Sequence, residues 1–147
     1  MLGTVVILSA SIWFLPYHCN SDSCLEYILQ TKTVLVKNIP ILVTVADTEI
    51  KRERGLSGRN ELKENEGMLF VFKSLDISGF WMKDMKFSID IVWIRENKIV
   101  SIEKNVSPNS FPNVFYPSEP ASLVLELPSG FCDAHGVLVG DSLIGLP

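Results

Sequence analysis

Histidine and cysteine, which commonly serve as general bases, nucleophiles or metal ligands, are scarce in this sequence. Only two histidines and three cysteines occur among 147 residues. The motifs G-x-S-x-G, G-x-x-x-x-G-K-[S/T], H-E-x-x-H and G-x-G-x-x-G are absent. The sequence therefore gives no support for an α/β-hydrolase, a P-loop phosphate site, a zinc peptidase or a dinucleotide-binding domain. We expect no cofactor, and the balance is against an enzyme.

An excess of basic residues is also lacking. Thirteen Lys and Arg residues stand against seventeen Asp and Glu residues, which gives a formal net charge of −4. Nucleic-acid binding depends on neutralising backbone phosphates with Lys and Arg. We therefore expect a small molecule, a glycan or a protein as partner, and no nucleic acid.

Charged side chains are missing from the N-terminus, where the first is Asp22. The stretch from Leu2 to Tyr17 is almost wholly apolar. As a helix it would extend about 24 Å, less than the roughly 30 Å hydrocarbon core of a bilayer. It is typical of a signal peptide or a short anchor, and the lack of small residues before Cys19 slightly favours the anchor. We expect residues 1–32 to form this leader and a linker, and the domain to be exported or membrane-anchored on the extracytoplasmic side.

The three cysteines are Cys19, Cys24 and Cys132, so any disulfide leaves one thiol over. The sequence does not choose among the pairings. Cys132 and His135 have a C-x-x-H spacing that suits a metal, but no second well-spaced pair accompanies it. We expect no metal site.

Residues 33–147 read as one domain of short strands. Apolar residues make up 47% of the chain and charged residues 20%, which suffices for a packed core. Gly, Pro, Asn and Asp separate the apolar runs, and the first hairpin is predicted to turn at residues 37–40. This spacing predicts an antiparallel sandwich or barrel. The predicted strands are Thr33–Val36, Ile41–Ala46, Met68–Phe72, Phe80–Met85, Ile89–Ile94, Ile99–Lys104, Val114–Tyr116, Ser122–Leu127, Val137–Val139 and Ser142–Ile144.

Two short helices are predicted from their capping residues. The S-x-x-E pattern at residues 23–26 is a capping box for a linker helix. Asp47 or Thr48 is able to cap a second helix that runs through Arg54 and ends at Gly55.

The segment Phe80–Met85 holds the densest mixture of aromatic and charged side chains. In a strand, Trp81 and Lys83 would point to one face, while Phe80 and Asp84 would point to the other. Such a face is able to stack on a sugar or a peptide and hydrogen-bond to it. The alternative is ordinary packing, with a lysine that reaches past an aromatic edge.

Three arginines, Arg52, Arg54 and Arg59, flank the turn after the second predicted helix. A carboxylate such as Asp84 or Asp90 would pair with one of them and fasten the helix to the sheet. Alternatively, the arginines and Lys83 would collect an anionic ligand at a concave site.

A hydrolase-like alternative depends on His135, because His18 lies beside the leader. Asp133 or Asp141 would orient His135, and Ser129 or Cys132 would serve as the nucleophile. Residues this close in sequence more commonly line a turn.

Several motifs occur in the order typical of the bacterial and archaeal family called "domain of unknown function 192". They are Val45-Ala46-Asp47-Thr48, Arg54-Gly55-Leu56, Arg59 with Leu62, Gly67-Met68-Leu69-Phe70-Val71-Phe72, Phe80-Trp81-Met82-Lys83-Asp84-Met85, Asp90, Val124-Leu125-Glu126-Leu127, Gly130 and Gly140-Asp141. The chain resembles this family over roughly Ile41 to Leu143. The resemblance implies a jelly-roll-like β-sandwich, often behind a signal or anchor segment, and no established activity. The family usually has Asn where Asp84 stands.

The first functional hypothesis is a non-catalytic, envelope-associated module that binds a small molecule, a glycan or a protein segment. Its ligand-binding residues are predicted to be Arg54, Arg59, Trp81, Lys83, Asp84 and Asp90. The alternatives are the hydrolase based on His135 and a structural or assembly module without a ligand.

Overall fold

The fold is known from a computed structural model that describes residues 31–147. Nine strands and two short helices follow one another along this part of the chain. They are β1 (Thr31–Val36), β2 (Ile39–Ala46), α1 (Glu49–Arg54), β3 (Glu66–Asp76), β4 (Phe80–Trp81), β5 (Ile89–Arg95), β6 (Lys98–Val106), β7 (Val114–Phe115), β8 (Ala121–Pro128), α2 (Phe131–Ala134) and β9 (Leu143–Ile144). A single 3₁₀ turn (Pro108–Ser110) lies between β6 and β7. The predicted linker helix, the leader, His18, Cys19 and Cys24 lie outside the described residues.

Seven strands form one sheet in the order β6-β5-β8-β3-β2-β1-β9, and β4 pairs with β7 in a small second sheet. The large sheet curls until its edges meet: Ile99 N donates to Asp141 O at 2.9 Å, and Leu143 N donates to Asn97 O at 2.8 Å. The predicted mainly β fold with short helices is confirmed. The sheet is mixed, however, because β2 and β3 run parallel.

The parallel pair follows from the connection between β2 and β3. Parallel neighbours need a crossover, whereas antiparallel neighbours need only a tight turn. Here α1 and the loop after it carry the chain across. Thr48 caps α1 by accepting a hydrogen bond from Lys51 N, and Gly55, with a φ of 50°, ends it. This helix is where the sequence predicted it. Among residues 31–147, no helix is both long enough and apolar enough to cross a bilayer.

The β1–β2 hairpin is also confirmed, but its turn is shorter than predicted. Lys37 and Asn38 have φ values of 49° and 66°, which is the conformation of a two-residue type I′ turn. Pro40 therefore belongs to β2, where it lies opposite Leu35. At the other end of the domain, Val137–Val139 is not a strand, and only Leu143–Ile144 pairs with β1.

The large sheet separates two apolar cores. Alternate residues of β8 face opposite sides: Leu125 and Leu127 lie in the core inside the curl, whereas Val124 lies in the core on the outer face. Trp93 and Leu56 belong to this outer core as well. The outer core is covered by the turn after α1 and by the segment around β4, and the candidate site lies between these two coverings.

Candidate functional site

A cleft of about 900 Å³ opens between the turn after α1, the end of β3 and the segment around β4. We call it the larger cleft. Four of the six residues predicted for the site line it, namely Arg54, Trp81, Lys83 and Asp84. Two separate segments, the end of α1 and the stretch around β4, thus bring together residues that are up to thirty positions apart in the sequence.

Trp81 presents an aromatic surface to this cleft. Its side chain is 56% exposed, although its backbone is held by the pairing of β4 with β7. The preceding residue, Phe80, makes edge-to-face contacts with Phe70 and Trp93, with ring centroids 4.9 and 6.0 Å apart. The packed side chain of Phe80 therefore anchors the backbone next to Trp81, while the Trp81 indole itself remains available to solvent.

The predicted strand Phe80–Met85 ends at Trp81, and the chain then turns. Asp84 has a φ of 57°, a left-handed conformation that Asn and Asp tolerate better than most residues. This backbone requirement explains why either Asn or Asp suits the position. Lys83 and Asp84 line the larger cleft because of this turn, and strand alternation plays no part.

Two hydrogen bonds join this turn to the one that follows α1. Ser57 Oγ donates to Lys83 O at 3.0 Å, and Gly58 N donates to Asp84 O at 3.1 Å. The two coverings of the outer core are thereby fixed relative to each other, so the walls of the cleft are largely pre-formed.

The sequence predicted that one of the three arginines pairs with Asp84 or Asp90, but neither pairing occurs among the described residues. Arg52 instead donates to Val71 O at 2.9 Å and lies over the Phe72 ring, 5.3 Å from its centroid. Within the described part of the chain, no ion pair joins Arg52, Arg54 or Arg59 to a carboxylate. Arg52 thus fastens α1 to β3. Arg54, which forms no ion pair within the described residues, remains available to a ligand in the cleft.

Glu126, which is not among the residues predicted for the site, also lines the larger cleft. Only 5% of the residue is exposed, and its Oε2 has no hydrogen-bond partner among the described residues. Burial raises the pKa of Glu126 to about 8, although the nearby Arg59 charge acts to lower it. At neutral pH the carboxyl group is thus mostly protonated, able both to donate and to accept a hydrogen bond.

A sequence signal for Glu126 does exist. It is the single charged residue in an otherwise aliphatic strand, Leu123-Val124-Leu125-Glu126-Leu127. Glu is rarely buried without a partner, because burial of its charged form is costly. A lone carboxyl group in a central strand is therefore a reason to suspect a functional site.

A smaller cleft of about 380 Å³ lies on the other side of the turn after α1. Arg59, predicted for the same site as Trp81, lines this smaller cleft together with Thr44 and Lys51. Its Nη2 donates to Thr44 Oγ1 at 3.5 Å. Arg54 lines both clefts and so links them.

Asp90 does not belong to either cleft. It is fully buried and accepts hydrogen bonds from the backbone N–H groups of Asn105, Gly130 and Cys132 at 2.8, 3.1 and 2.8 Å. These bonds hold the start of α2 and the end of β6 against β5. The prediction that Asp90 contacts a ligand is therefore replaced by a structural role, because its oxygens are already used inside the fold.

The groups of the hydrolase hypothesis are also apart from both clefts. His135 packs on Phe131, with ring centroids 4.4 Å apart. Asp133 Oδ1 lies 2.6 Å from Lys104 Nζ, and Asp141 Oδ2 lies 3.5 Å from Lys37 Nζ.

The two candidate nucleophiles are occupied or unreactive. Ser129 Oγ donates to Asn105 Oδ1 at 2.7 Å. Cys132 is a buried free thiol, and burial together with the Asp90 charge raises its pKa to about 12. It is therefore neither thiolate nor disulfide in this structure. No group of three or more His, Cys, Asp or Glu side chains suited to a metal occurs within residues 31–147.

Comparison with known proteins identifies the family. The profile of DUF192, described as "Uncharacterized ACR, COG1430", matches residues 31–145. The protein belongs to the DUF192 family. The resemblance seen in the sequence is thus confirmed, and it extends to β1 and β9.

Three relatives illustrate how far the DUF192 likeness reaches. A UPF0127 protein of Pyrococcus furiosus is 32% identical over 112 residues, covering 73% of this chain and 89% of the relative. A Sinorhizobium meliloti crystal structure, described as a candidate transcription regulator, has a TM-score of 0.72 and 29% identity over 78% of this chain and 92% of that one. A Novosphingobium aromaticivorans protein of unknown function has a TM-score of 0.69 and 26% identity over 77% of this chain and 82% of that one.

Proposed function

We propose that this DUF192 chain is a non-catalytic binding module whose larger cleft takes a neutral, polyhydroxylated ligand such as a sugar unit of a glycan. The observation that carries the proposal is Glu126, a buried carboxyl group that lines an open cleft and has one oxygen without a partner among residues 31–147. Buried polar groups normally have a partner, because leaving one unpaired costs about 1–3 kcal/mol. A ligand hydroxyl group is able to supply the missing hydrogen bond.

Trp81 supports a ligand that has an apolar face as well as hydroxyl groups. An exposed indole on a backbone held by strand pairing offers a flat surface at little entropic cost. The axial C–H groups of a sugar ring are able to pack on such a surface while its hydroxyl groups reach polar side chains. The combination of Trp81 and Glu126 in one cleft therefore favours a sugar over a purely apolar molecule.

The charge lining the larger cleft favours a neutral ligand. Three cationic and three anionic side chains line it: Arg52, Arg54, Lys83, Glu53, Asp76 and Asp84. Protonated Glu126 adds no charge at neutral pH. The opposing charges nearly cancel, so the cleft has little electrostatic attraction for a strongly charged ligand.

The distance of the hydrolase groups from the cleft supports binding without catalysis. His135 lines neither cleft, and Asp133 is already engaged with Lys104. Among residues 31–147, no imidazole lines the cleft beside the proposed hydroxyl-binding groups.

A thermal-shift screen of neutral mono- and disaccharides against the full-length chain tests the proposal, because a ligand that binds the folded state raises its stability. For any sugar that binds, Trp81→Ala is expected to weaken affinity at least tenfold. The control Leu138→Ala, which alters another exposed apolar residue, should leave affinity unchanged. Equal affinity of Trp81→Ala and wild type, or no response to any sugar, would contradict the proposal.

Variants at Glu126 test the hydrogen-bonding role directly. Glu126→Gln keeps a neutral group that both donates and accepts, so sugar affinity should be retained within a few fold. Glu126→Ala removes both capacities and should weaken binding at least tenfold. Identical affinities for the two variants would show that Glu126 does not touch the ligand. Release of a cleaved product by the wild type would refute the non-catalytic part.

We also propose that the chain is exported or membrane-anchored, which is supported by the apolar segment from Leu2 to Tyr17. Expression of the tagged full-length chain in bacteria, followed by fractionation and protease treatment of spheroplasts, tests this location. Leu8→Arg should return the protein to the cytosolic fraction, whereas the control Ser21→Arg, outside the apolar stretch, should not. A wild-type chain recovered wholly in the cytosol would contradict the proposal.

A further inference from the structure

We propose that the smaller cleft is an oxyanion site, in which Arg59, Arg54 and the Thr44 hydroxyl group bind a phosphate or carboxylate group. The smaller cleft is distinct from the larger cleft, where the sugar is proposed to bind, so the inference does not rest on the proposed function. The two clefts share Arg54 as a common wall.

Charge distinguishes the smaller cleft from the larger one. Lys51, Arg54 and Arg59 line it, and none of the described residues in its lining is Asp or Glu. Like charges gathered in a concavity repel one another, and an anion relieves that repulsion. The smaller cleft is therefore electrostatically suited to an anion, whereas the larger cleft is nearly balanced.

The three cations are not equally available. Lys51 Nζ lies 2.8 Å from Asp47 Oδ1 and is engaged at the rim. Arg54 and Arg59 have no carboxylate partner within residues 31–147. Within the described residues, the Arg59 side chain makes one hydrogen bond, the long contact with Thr44 Oγ1 at 3.5 Å. Both guanidinium groups thus keep donors for a ligand, and guanidinium forks match the oxygens of phosphate and carboxylate.

The carboxyl group of Glu126 lies close enough to Arg59 for the Arg59 charge to affect its pKa, yet it does not neutralise Arg59 at neutral pH. Glu66, which lines a third small cavity with Arg59, is paired with Lys63 at 3.7 Å. Burial raises the pKa of Glu126 to about 8 in spite of the opposing Arg59 charge. The half-buried Arg59 consequently faces a mostly uncharged neighbour. An anion entering the smaller cleft would meet an uncompensated positive charge.

The backbone that carries the two arginines is held in place before any ligand arrives. Arg59 N donates to Leu56 O at 3.1 Å, and Gly58 N donates to Asp84 O at 3.1 Å. Leu56 is buried in the outer core. Beside them, the space above Gly58 is open, because a Cβ atom there would meet nothing within 4 Å. A fixed, open turn lowers the entropic cost of binding.

Titration of the full-length chain with inorganic phosphate and, separately, with acetate tests the site. The readouts are thermal stabilisation and the Nε chemical shift of Arg59 in NMR spectra. Arg59→Met should lower the affinity for the bound anion at least tenfold, Arg59→Lys less than that, and Thr44→Val severalfold. The matched control is Arg95→Met, at an arginine that pairs with Glu119 away from both clefts.

The results of these titrations decide whether the smaller cleft binds an oxyanion. An affinity unchanged in Arg59→Met, a loss as large in Arg95→Met, or no binding of either anion to the wild type would overturn the proposal. Should Arg59→Met fail to fold, Arg54→Met and the wild-type Arg59 Nε shift provide the same decision. Trp81→Ala should leave inorganic phosphate binding unchanged, so failure of the sugar proposal is distinguishable from failure of this one.

A parallel titration with glucose 6-phosphate identifies the source of the oxyanion. If Trp81→Ala weakens glucose 6-phosphate but not inorganic phosphate, the anion is carried by a ligand that spans both clefts past Arg54. If Trp81→Ala weakens neither, the smaller cleft takes a free anion. Both patterns support an oxyanion site as long as Arg59→Met abolishes the binding.

Discussion

Replacing Glu126 with glutamine should change how the stability of this domain depends on pH. The unfolded carboxyl group titrates near its ordinary pKa of 4.5, whereas burial raises the folded value to about 8. Between these values the folded state holds a proton that the unfolded state has released. Stability therefore falls as pH rises through this window, and it is highest below the unfolded pKa.

The size of the effect follows from the two pKa values. They differ by about 3.5, and each pKa unit corresponds to about 1.4 kcal/mol, so the wild type should lose about 5 kcal/mol across the window. A domain of this size has a free energy of unfolding of about 5–15 kcal/mol. Glu126→Gln cannot ionise and should not show this loss. The variant should match the wild type near the acid end and exceed it by several kcal/mol in mild alkali.

Urea unfolding of the full-length chain at a series of pH values, followed by fluorescence of the buried Trp93, measures the effect. The difference between wild type and Glu126→Gln isolates this one group, because all other titrations cancel. Glu119→Gln, at an exposed carboxylate, is the matched control and should run parallel to the wild type. A constant difference between wild type and Glu126→Gln at all pH values would refute the raised pKa. Arg59→Met should extend the loss to higher pH, since the Arg59 charge lowers the pKa of Glu126.

Three further predictions test the roles assigned above. Asp90→Ala should cost about 3–5 kcal/mol in urea unfolding, because three backbone donors lose their acceptor; the exposed Asp133→Ala should change little, and equal effects would contradict the role of Asp90. Asp84→Asn should leave stability unchanged, whereas Asp84→Val should cost about 1–2 kcal/mol at the left-handed position; an unchanged valine variant would remove the conformational argument. Cys132 should resist iodoacetamide at mildly alkaline pH until the chain is denatured, as peptide mass spectrometry would show; rapid native labelling would contradict its burial.

Local features of the fold were predictable because their causes are local. Thr48 at the start of α1 and Gly55 at its end are capping residues whose effect depends on a few neighbouring positions. The hairpin between β1 and β2 follows from two β-branched runs and a turn sequence. Even so, the turn was predicted to be two residues too long, because proline is common in turns. Pro40 instead lies within β2, where it pairs with Leu35.

The site was only partly predictable, because it is assembled from distant segments. The side chains of Trp81 and Lys83 suggest a binding surface, but the prediction that they share one face of a strand is wrong, because the strand ends at Trp81. A turn held by Ser57 and Gly58 places Lys83 at the cleft. Asp90 looked equally suitable in the sequence. Its partners, which lie 15 to 42 positions away, revealed that it is a structural residue.

The sequence by itself determined the mainly β class, the capped helix α1 and the family, since composition, periodicity and motif order are properties of the chain alone. The tertiary structure decided that β2 and β3 run parallel and that Arg54 and Trp81 share a cleft. It also decided that Glu126 is buried there, with no partner for Oε2 in the part of the chain that the structure describes. The physical reason is that burial and hydrogen-bond satisfaction depend on which distant segments meet. A carboxyl group has the same sequence symbol whether water surrounds it or an aliphatic sheet raises its pKa.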